Sequence, residues 1–191
     1  MRIIAGLRRG HKLDGPASKW TRPTSDMVRE SVFNILGDAV EGVEVFDVFA
    51  GTGAMGLEAL SRGAQHCVFI ERDRSNVPVI RKNVANLRFE DRSAVLSTDA
   101  FRWIRSFQPL DDQPKLMILD PPYAEYENHP DRISSALATL VERLPTGSMV
   151  VVEAPERLPD DLLPEPDRWD LRRYGSTLVA FRSLARPAPE A

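Results

Sequence analysis

Two stretches of this chain carry residue types at spacings that could do chemistry. In the first, the apolar run Leu116-Met117-Ile118-Leu119 stops on a carboxylate and then on two rings, in Asp120-Pro121-Pro122-Tyr123. A proline disfavours helical backbone in the residue before it, so Asp120 and Pro121 are both expected to be extended. Each ring also fixes its own φ near about −65°. Neither proline has an N–H, and their carbonyls are available as acceptors. The result is a rigid rim of acceptors, a carboxylate and a backbone C=O, that suits an NH2 group with its two donors. Tyr123 adds a flat face for stacking a base, worth ~1–3 kcal/mol. The chemistry that fits is methylation of an exocyclic amine on a nucleobase. Such a nitrogen is a poor nucleophile because its lone pair is delocalised into the ring. Two acceptors aimed at its hydrogens favour a pyramidal nitrogen, with the lone pair free to attack. A methyl on a sulfonium is already activated, so positioning and electrostatics are what the protein must supply. Taken alone, the same residues also read as a strand-ending acid followed by an ordinary turn.

The second stretch is Gly51-x-Gly53-x-x-Gly56, inside Phe46-Asp47-Val48-Phe49-Ala50-Gly51-Thr52-Gly53 and the residues after it. It follows an apolar strand pattern and opens a helical one, and Glu71 ends the next strand pattern twenty residues after Gly51. That context marks a loop passing close under an adenosine-containing cofactor, with the acid accepting from ribose hydroxyls. NAD and S-adenosylmethionine both contain that adenosine. A pyrophosphate favours a helix N-terminus free of nearby negative charge, whereas a sulfonium and an ammonium favour a carboxylate. Asp47, four residues before Gly51, therefore tilts the reading toward S-adenosylmethionine. Asp47 could equally cap the amides of its own loop. Asp99 ends a third strand pattern and could accept from the adenine amine, with Ala100 lining the pocket; it could also cap the helix that follows.

These groups need a scaffold that brings strand ends together. Strand-like apolar runs at 43–50, 67–71, 94–98, 115–120 and 148–154 alternate with helical patterns. The helical patterns begin after Thr24 or Ser25, at 54–63, at 77–87 with Pro78 in the first turn, at 101–107 and at 130–144. Alternation of this kind predicts an α/β fold, a mostly parallel sheet with helices on both faces. Ligands bind such sheets at the carboxyl ends of the strands. Residues 169–182 read as a closing hairpin around Gly175-Ser176, and the "RIIAG" and "HKL" segments as a short N-terminal hairpin. The organisation expected is a basic hairpin and loop over 1–25, a catalytic domain over 26–184 and a disordered tail over 185–191.

The 191 residues suit one domain, and 42% hydrophobic content is ordinary for a globular protein. A single cysteine, Cys67, excludes an internal disulfide and a Cys-based metal cluster. No apolar run approaches a membrane span and no signal peptide is visible, so a cytoplasmic protein with neither membrane nor metal is expected. Net charge is −3 overall, but residues 1–30 hold seven Lys/Arg against three acids. A basic end on an acidic body can contact phosphate locally, or can simply be solvated.

The segments "DVFAGTGAMGLEALSRGA", "DPPY" and "RIIAG…RG…TRPTSDMVRESVFNIL" together resemble the RsmD family. These are bacterial methyltransferases that modify the N2 of one guanine in 16S ribosomal RNA. The resemblance runs from about Met1 to Phe181, and the "TRPT…VRE…FNIL" segment is its most specific part. It implies the seven-stranded methyltransferase sheet with its last strand antiparallel. It also implies S-adenosyl-L-methionine as cofactor, leaving as S-adenosyl-L-homocysteine. Asp47, Gly51, Gly53, Glu71 and Asp99 would hold the cofactor, with Ala50, Thr52, Arg72 and Ala100 beside them. Asp120, Pro121, Pro122 and Tyr123 would hold guanine. Arg8, Arg9, Lys12, Arg22 and Arg29 would face RNA, the last two alternatively the cofactor's amino-acid end. The partner would be 16S rRNA within the small ribosomal subunit, met by a monomer. Three other readings compete: a DNA adenine-N6 methyltransferase, an NAD-dependent oxidoreductase, and a catalytically idle RNA-binding assembly factor that retains the cofactor fold.

Overall fold

The computed structural model describes residues 1–15, 25–159 and 161–184. Its centre is a seven-stranded sheet in the order β3-β2-β1-β4-β5-β7-β6. The strands are β1 (Glu44–Val48), β2 (His66–Glu71), β3 (Ser93–Ser97), β4 (Lys115–Leu119), β5 (Met149–Pro155), β6 (Asp170–Tyr174) and β7 (Thr177–Ser183). The first five are parallel, and β7 runs antiparallel between β5 and β6. The α/β fold expected from the alternating pattern, and the seven-stranded sheet that the resemblance implied, are therefore present, closing hairpin included.

Six α-helices cover the sheet: α1 (Asp26–Leu36), α2 (Ala54–Ser61), α3 (Asn76–Leu87), α4 (Ala100–Ser106), α5 (Tyr123–Asn128) and α6 (Pro130–Arg143). Local signals set their ends. Ser25 Oγ accepts the Val28 N–H at 3.2 Å, and Gly37 ends α1 at φ +50°. Pro130 opens α6 at a position where a missing N–H costs nothing. Alternation along the strands sends Val45, Phe69, Leu116 and Ile118 to a core shared with α1, α2 and α3. Their neighbours Phe46, Val48, Ile70, Met117 and Leu119 face a second core under α4, α5 and α6. No helix among the described residues is long and apolar enough to cross a membrane.

The register decides what meets at the carboxyl edge. Val48 pairs with Ile70 on one side and Leu119 on the other. Glu71 and Asp120, each one residue further on, thus flank the loop that leaves β1. The ladder continues past the strands, with Ala50 N–H donating to Ile70 O at 3.0 Å and Asp120 N–H to Val48 O at 3.2 Å.

The N-terminal hairpin is slighter than expected: a single antiparallel bridge, Arg2 to Lys12, closed by a short turn at Gly6–Arg8. It is nonetheless packed into the domain, since Ile3 and Leu13 are buried in the core under α1–α3. Its docking is polar as well as apolar. Glu58 of α2, fully buried, accepts the Ile4 and Ala5 N–H groups at 2.8 and 3.0 Å. Asn83 of α3, also fully buried, accepts the Asp14 N–H at 2.8 Å and donates to Asp14 O and Thr52 O.

Candidate active site

The glycine loop is built by its own hydrogen bonds. Gly53 N–H donates to Ala50 O at 2.7 Å, and Phe49, Gly51 and Gly53 all take positive φ. Gly56 is required by close approach: a Cβ there would lie 2.5 Å from Cys67 Sγ and from the Phe69 ring. Glu71 accepts the Gly51 N–H at 2.7 Å through one oxygen and the Asp73 N–H at 2.7 Å through the other. Each oxygen keeps a second lone pair, so the carboxylate can still take ribose hydroxyls. Burial raises the Glu71 pKa, and those two N–H groups oppose the shift. Ala50 and Thr52 are buried in the same turn. This cradle fits the adenosine half of S-adenosylmethionine.

Asp47 takes up the loop-capping contact that its position also allowed. It is 2% exposed, and its Oδ2 accepts the Gly56 N–H at 2.8 Å, which ties the start of α2 to β1. Burial, only partly offset by that bond and reinforced by the charge of Glu71, raises its pKa to about 7. The loop-capping alternative is the one this geometry supports.

On the far side of the cradle, Asp99 Oδ1 accepts the Arg102 N–H at 2.8 Å, capping α4, and Ala100 beside it is buried. Capping leaves Asp99 half exposed and able to accept from a ligand. Arg72, exposed, points its Nη1 between Asp99 Oδ2 at 3.9 Å and Glu125 Oε1 at 3.5 Å. Arg132 mirrors it, at 3.9 Å from Asp99 Oδ1 and 3.5 Å from Glu125 Oε2. Neither Glu125 nor Arg132 was signalled by the sequence pattern.

The second half of the site is the rim after β4. Asp120 is half-buried, Pro121 buried and Pro122 exposed. Pro122 O accepts the Glu125 N–H at 2.8 Å, so this carbonyl belongs to the start of α5 and is not a rim acceptor as expected. The Asp120 carboxylate and the Pro121 carbonyl lie ahead of α5, on the rim itself. Tyr123 is not part of a loop but the first residue of α5, which the sequence pattern did not predict. Its hydroxyl lies 3.3 Å from Thr177 Oγ1 and 3.5 Å from Ala154 O, which holds the half-buried ring at the β5–β7 end of the edge. Tyr126 braces it edge-on, with ring centroids 6.5 Å apart, and donates to Glu153 O at 2.7 Å. Burial, then the charge of Asp120, keeps the Tyr126 hydroxyl protonated well above its usual range.

The basic residues fall in different places. Arg9 and Lys12 are exposed on the hairpin. Arg8 is half-buried, donating Nε to Leu87 O at 2.7 Å with its guanidinium 5.6 Å from the Phe89 ring. Arg22 lies outside the described residues. Arg29 corrects the expectation that it faces RNA. It is fully buried, donates to Arg2 O and Asp26 Oδ1 at 2.7 and 2.8 Å, and lies 3.7 Å from Glu58. It is a structural cation that neutralises Glu58 and fixes the N-terminal hairpin to α1.

Comparison with known proteins agrees with this geometry. A family model described as "Conserved hypothetical protein 95" matches residues 1–183. Ribosomal RNA small subunit methyltransferase D of Haemophilus influenzae is 34% identical over 188 residues, covering 95% of this chain and 92% of that one. YlbH of Bacillus subtilis, described as a candidate rRNA methyltransferase, is 34% identical over 190 residues, covering 95% and 97%. A solved Escherichia coli structure, described as the candidate methyltransferase yhhF, superposes with a TM-score of 0.75 at 29% identity, covering 97% and 99%. With its glycine cradle, its Asp-Pro-Pro-Tyr rim and a match along nearly its full length, the chain belongs to the RsmD family, that of Conserved hypothetical protein 95.

Proposed function

We propose that this protein methylates the exocyclic N2 of a guanine in 16S rRNA of the small ribosomal subunit, with S-adenosyl-L-methionine as methyl donor. The single observation that carries this reading is the register placing Asp120 directly beside the glycine cradle, one residue past the Val48–Leu119 pair. The names of the relatives support the rRNA and small-subunit part of it.

When bound, the cofactor supplies a methyl group activated by a sulfonium. The residues of this chain do the rest. Glu71 and the glycine loop seat the adenosine. The Asp120 carboxylate and the Pro121 carbonyl accept the two hydrogens of the guanine amine, and Tyr123 offers its half-exposed ring to the base. Held so, the nitrogen turns its lone pair toward the methyl carbon. With the sulfonium methyl supplied there, the nitrogen would exchange one proton for the methyl, and Asp120 or water would take that proton. Prolines rather than glycines at 121 and 122 hold this geometry before the substrate arrives.

RNA is held from the other end. The Arg8 N–H donates to Ser61 Oγ at 3.0 Å, so the hairpin turn lies at the C-terminal end of α2. That end is about 12 Å of helix from the glycine loop. A substrate touching Arg9 while presenting guanine to Asp120 must span the domain, which favours a folded RNA surface over a free nucleotide. The test is Asp120→Asn: methyl transfer to unmodified small subunits should fall steeply while S-adenosylhomocysteine still binds. Unchanged transfer would sink the mechanism.

A further inference from the structure

One buried acid that the mechanism leaves unused lies beside the site. Glu125 is 7% exposed and sits two residues after Tyr123, in the helix that the Asp-Pro-Pro-Tyr rim opens. Its carboxylate lies between two guanidiniums, those of Arg72 and Arg132, each 3.5 Å away. Both guanidiniums also reach Asp99, each at 3.9 Å. Acids and cations thus alternate around a closed square. Arg72 directly follows Glu71 of the cradle. The Arg132 guanidinium stacks 4.2 Å from the centre of the Phe101 ring, and Phe101 meets Phe49 edge-on at 5.2 Å. Phe49 is the glycine-loop residue held at φ +66°. From Glu125, one path therefore runs through Arg72 to Glu71, and a second through Arg132 and Phe101 to the glycine loop.

The square is looser than the tightest ion pairs of the chain and about as loose as the buried Arg29–Glu58 pair at 3.7 Å. Arg29–Asp26 and Arg62–Glu58 close to 2.8 Å. In the square every contact is longer, and the buried Glu125 Oε2 has no hydrogen-bond partner among the described residues. A buried carboxylate oxygen without a donor is costly. An arrangement that tightens once the pocket is filled would carry such a gap when empty.

We propose that Glu125 is a positioning residue for methyl transfer, coupling the Asp120–Tyr123 rim to the adenosine end of the cofactor cradle through Arg72 and Arg132. The proposal rests on the reading that this cradle takes S-adenosylmethionine. Occupancy of the adenosine pocket draws Arg72 and Arg132 onto Glu125. α5 then sets Tyr123 and the rim in their working position, so guanine is best received when the donor is in place.

Calorimetric titration of S-adenosylhomocysteine and steady-state transfer to unmodified small subunits test it together. Glu125→Ala should weaken S-adenosylhomocysteine binding by about fivefold or more, and should lower kcat at saturating cofactor by a similar factor. Glu125→Gln keeps the shape but not the charge, and should follow Glu125→Ala rather than rescue it. In the double variant Arg72→Ala/Glu125→Ala, the losses in binding should be clearly less than additive. Should Glu125→Ala fail to fold, Arg132→Ala tests the same link from an exposed position and should also weaken binding. Binding within twofold of wild type in folded Glu125 variants, additive losses, or a Gln variant that behaves as wild type would each overturn the proposal. A wild-type protein that binds S-adenosylhomocysteine yet methylates no guanine would overturn the functional reading instead, and the binding cycle would still decide the role of Glu125.

Discussion

The two ends of the domain solve opposite problems. At the carboxyl edge of the sheet, Glu71, Asp99, Asp120 and Glu125 gather carboxylates, and backbone N–H groups and arginines balance them. At the other end, the hairpin turn carries cations held in place by polar contacts: Arg8 on Leu87 O, and the backbone on Glu58 and Ser61. On the proposed reading, the first end accepts hydrogens from a base and its cofactor, and the second meets phosphate. The difference teaches that, on this reading, recognition of the RNA and chemistry on the base lie at opposite ends of α2, while the Asp14–Asn83–Thr52 contacts tie the hairpin to the glycine loop.

The sharpest way to break the comparison is at Asp120. Asp120→Ala should lower kcat by about 10²–10³-fold, the scale for losing one preorganised electrostatic group. S-adenosylhomocysteine affinity should be preserved, as calorimetry would show. Gly56→Ala should damage the cradle through packing. Its Cβ would fall 2.5 Å from Cys67 and Phe69, so overpacking should cost about 1–3 kcal/mol in denaturant unfolding and weaken cofactor binding. At the far end, Gly6→Ala should loosen the hairpin, because the new Cβ would lie 1.8 Å from Ser61 O. Transfer to subunits should then suffer while S-adenosylhomocysteine binding does not. Arg9→Ala/Lys12→Ala should weaken RNA binding and reduce the salt slope of log K by about 1 per cation removed, measured by filter binding at several salt concentrations.

The smallest effect concerns pH. Burial raises the Asp47 pKa from its ordinary 3.8 to about 7. Between those two values the folded chain holds a proton that the unfolded chain has lost, so this residue's contribution to stability falls as pH rises through that window. Asp47→Asn keeps an acceptor for Gly56 N–H and removes the titration. The variant should therefore gain thermal stability relative to wild type as pH rises from 4 to 7. A difference that does not change with pH would contradict the assignment.

Much of the fold was legible because its signals are local. Strand runs such as Lys115–Leu119 are apolar on both faces, and Ser25, Gly37 and Pro130 mark helix ends by backbone chemistry alone. The cradle was legible because glycine spacing and the distance to Glu71 are set by the βαβ unit. What escaped depends on partners remote in sequence. Arg29 looks like any exposed cation until Glu58 and the hairpin close over it. Asp47 reads as a pocket acid until Gly56 takes its oxygen. α5 is only six residues long and ends at Asn128, just before the His129-Pro130 pair, too short to show a helical period. Asn83 joins Asp14 to Thr52 across 69 and 31 positions, a link no local pattern announces. The square around Glu125 joins four separate elements and leaves no trace in spacing.

The central claim, that Asp120 and the cradle beside it methylate a guanine amine, is tested most directly by the product. Labelled S-adenosylmethionine would be supplied with small ribosomal subunits lacking the modification, with naked 16S RNA and DNA alongside, and the labelled nucleoside identified. The account predicts N2-methylguanosine, formed on the subunits. N6-methyladenine on DNA, or no transfer to any of them by a protein that binds the cofactor, would contradict it.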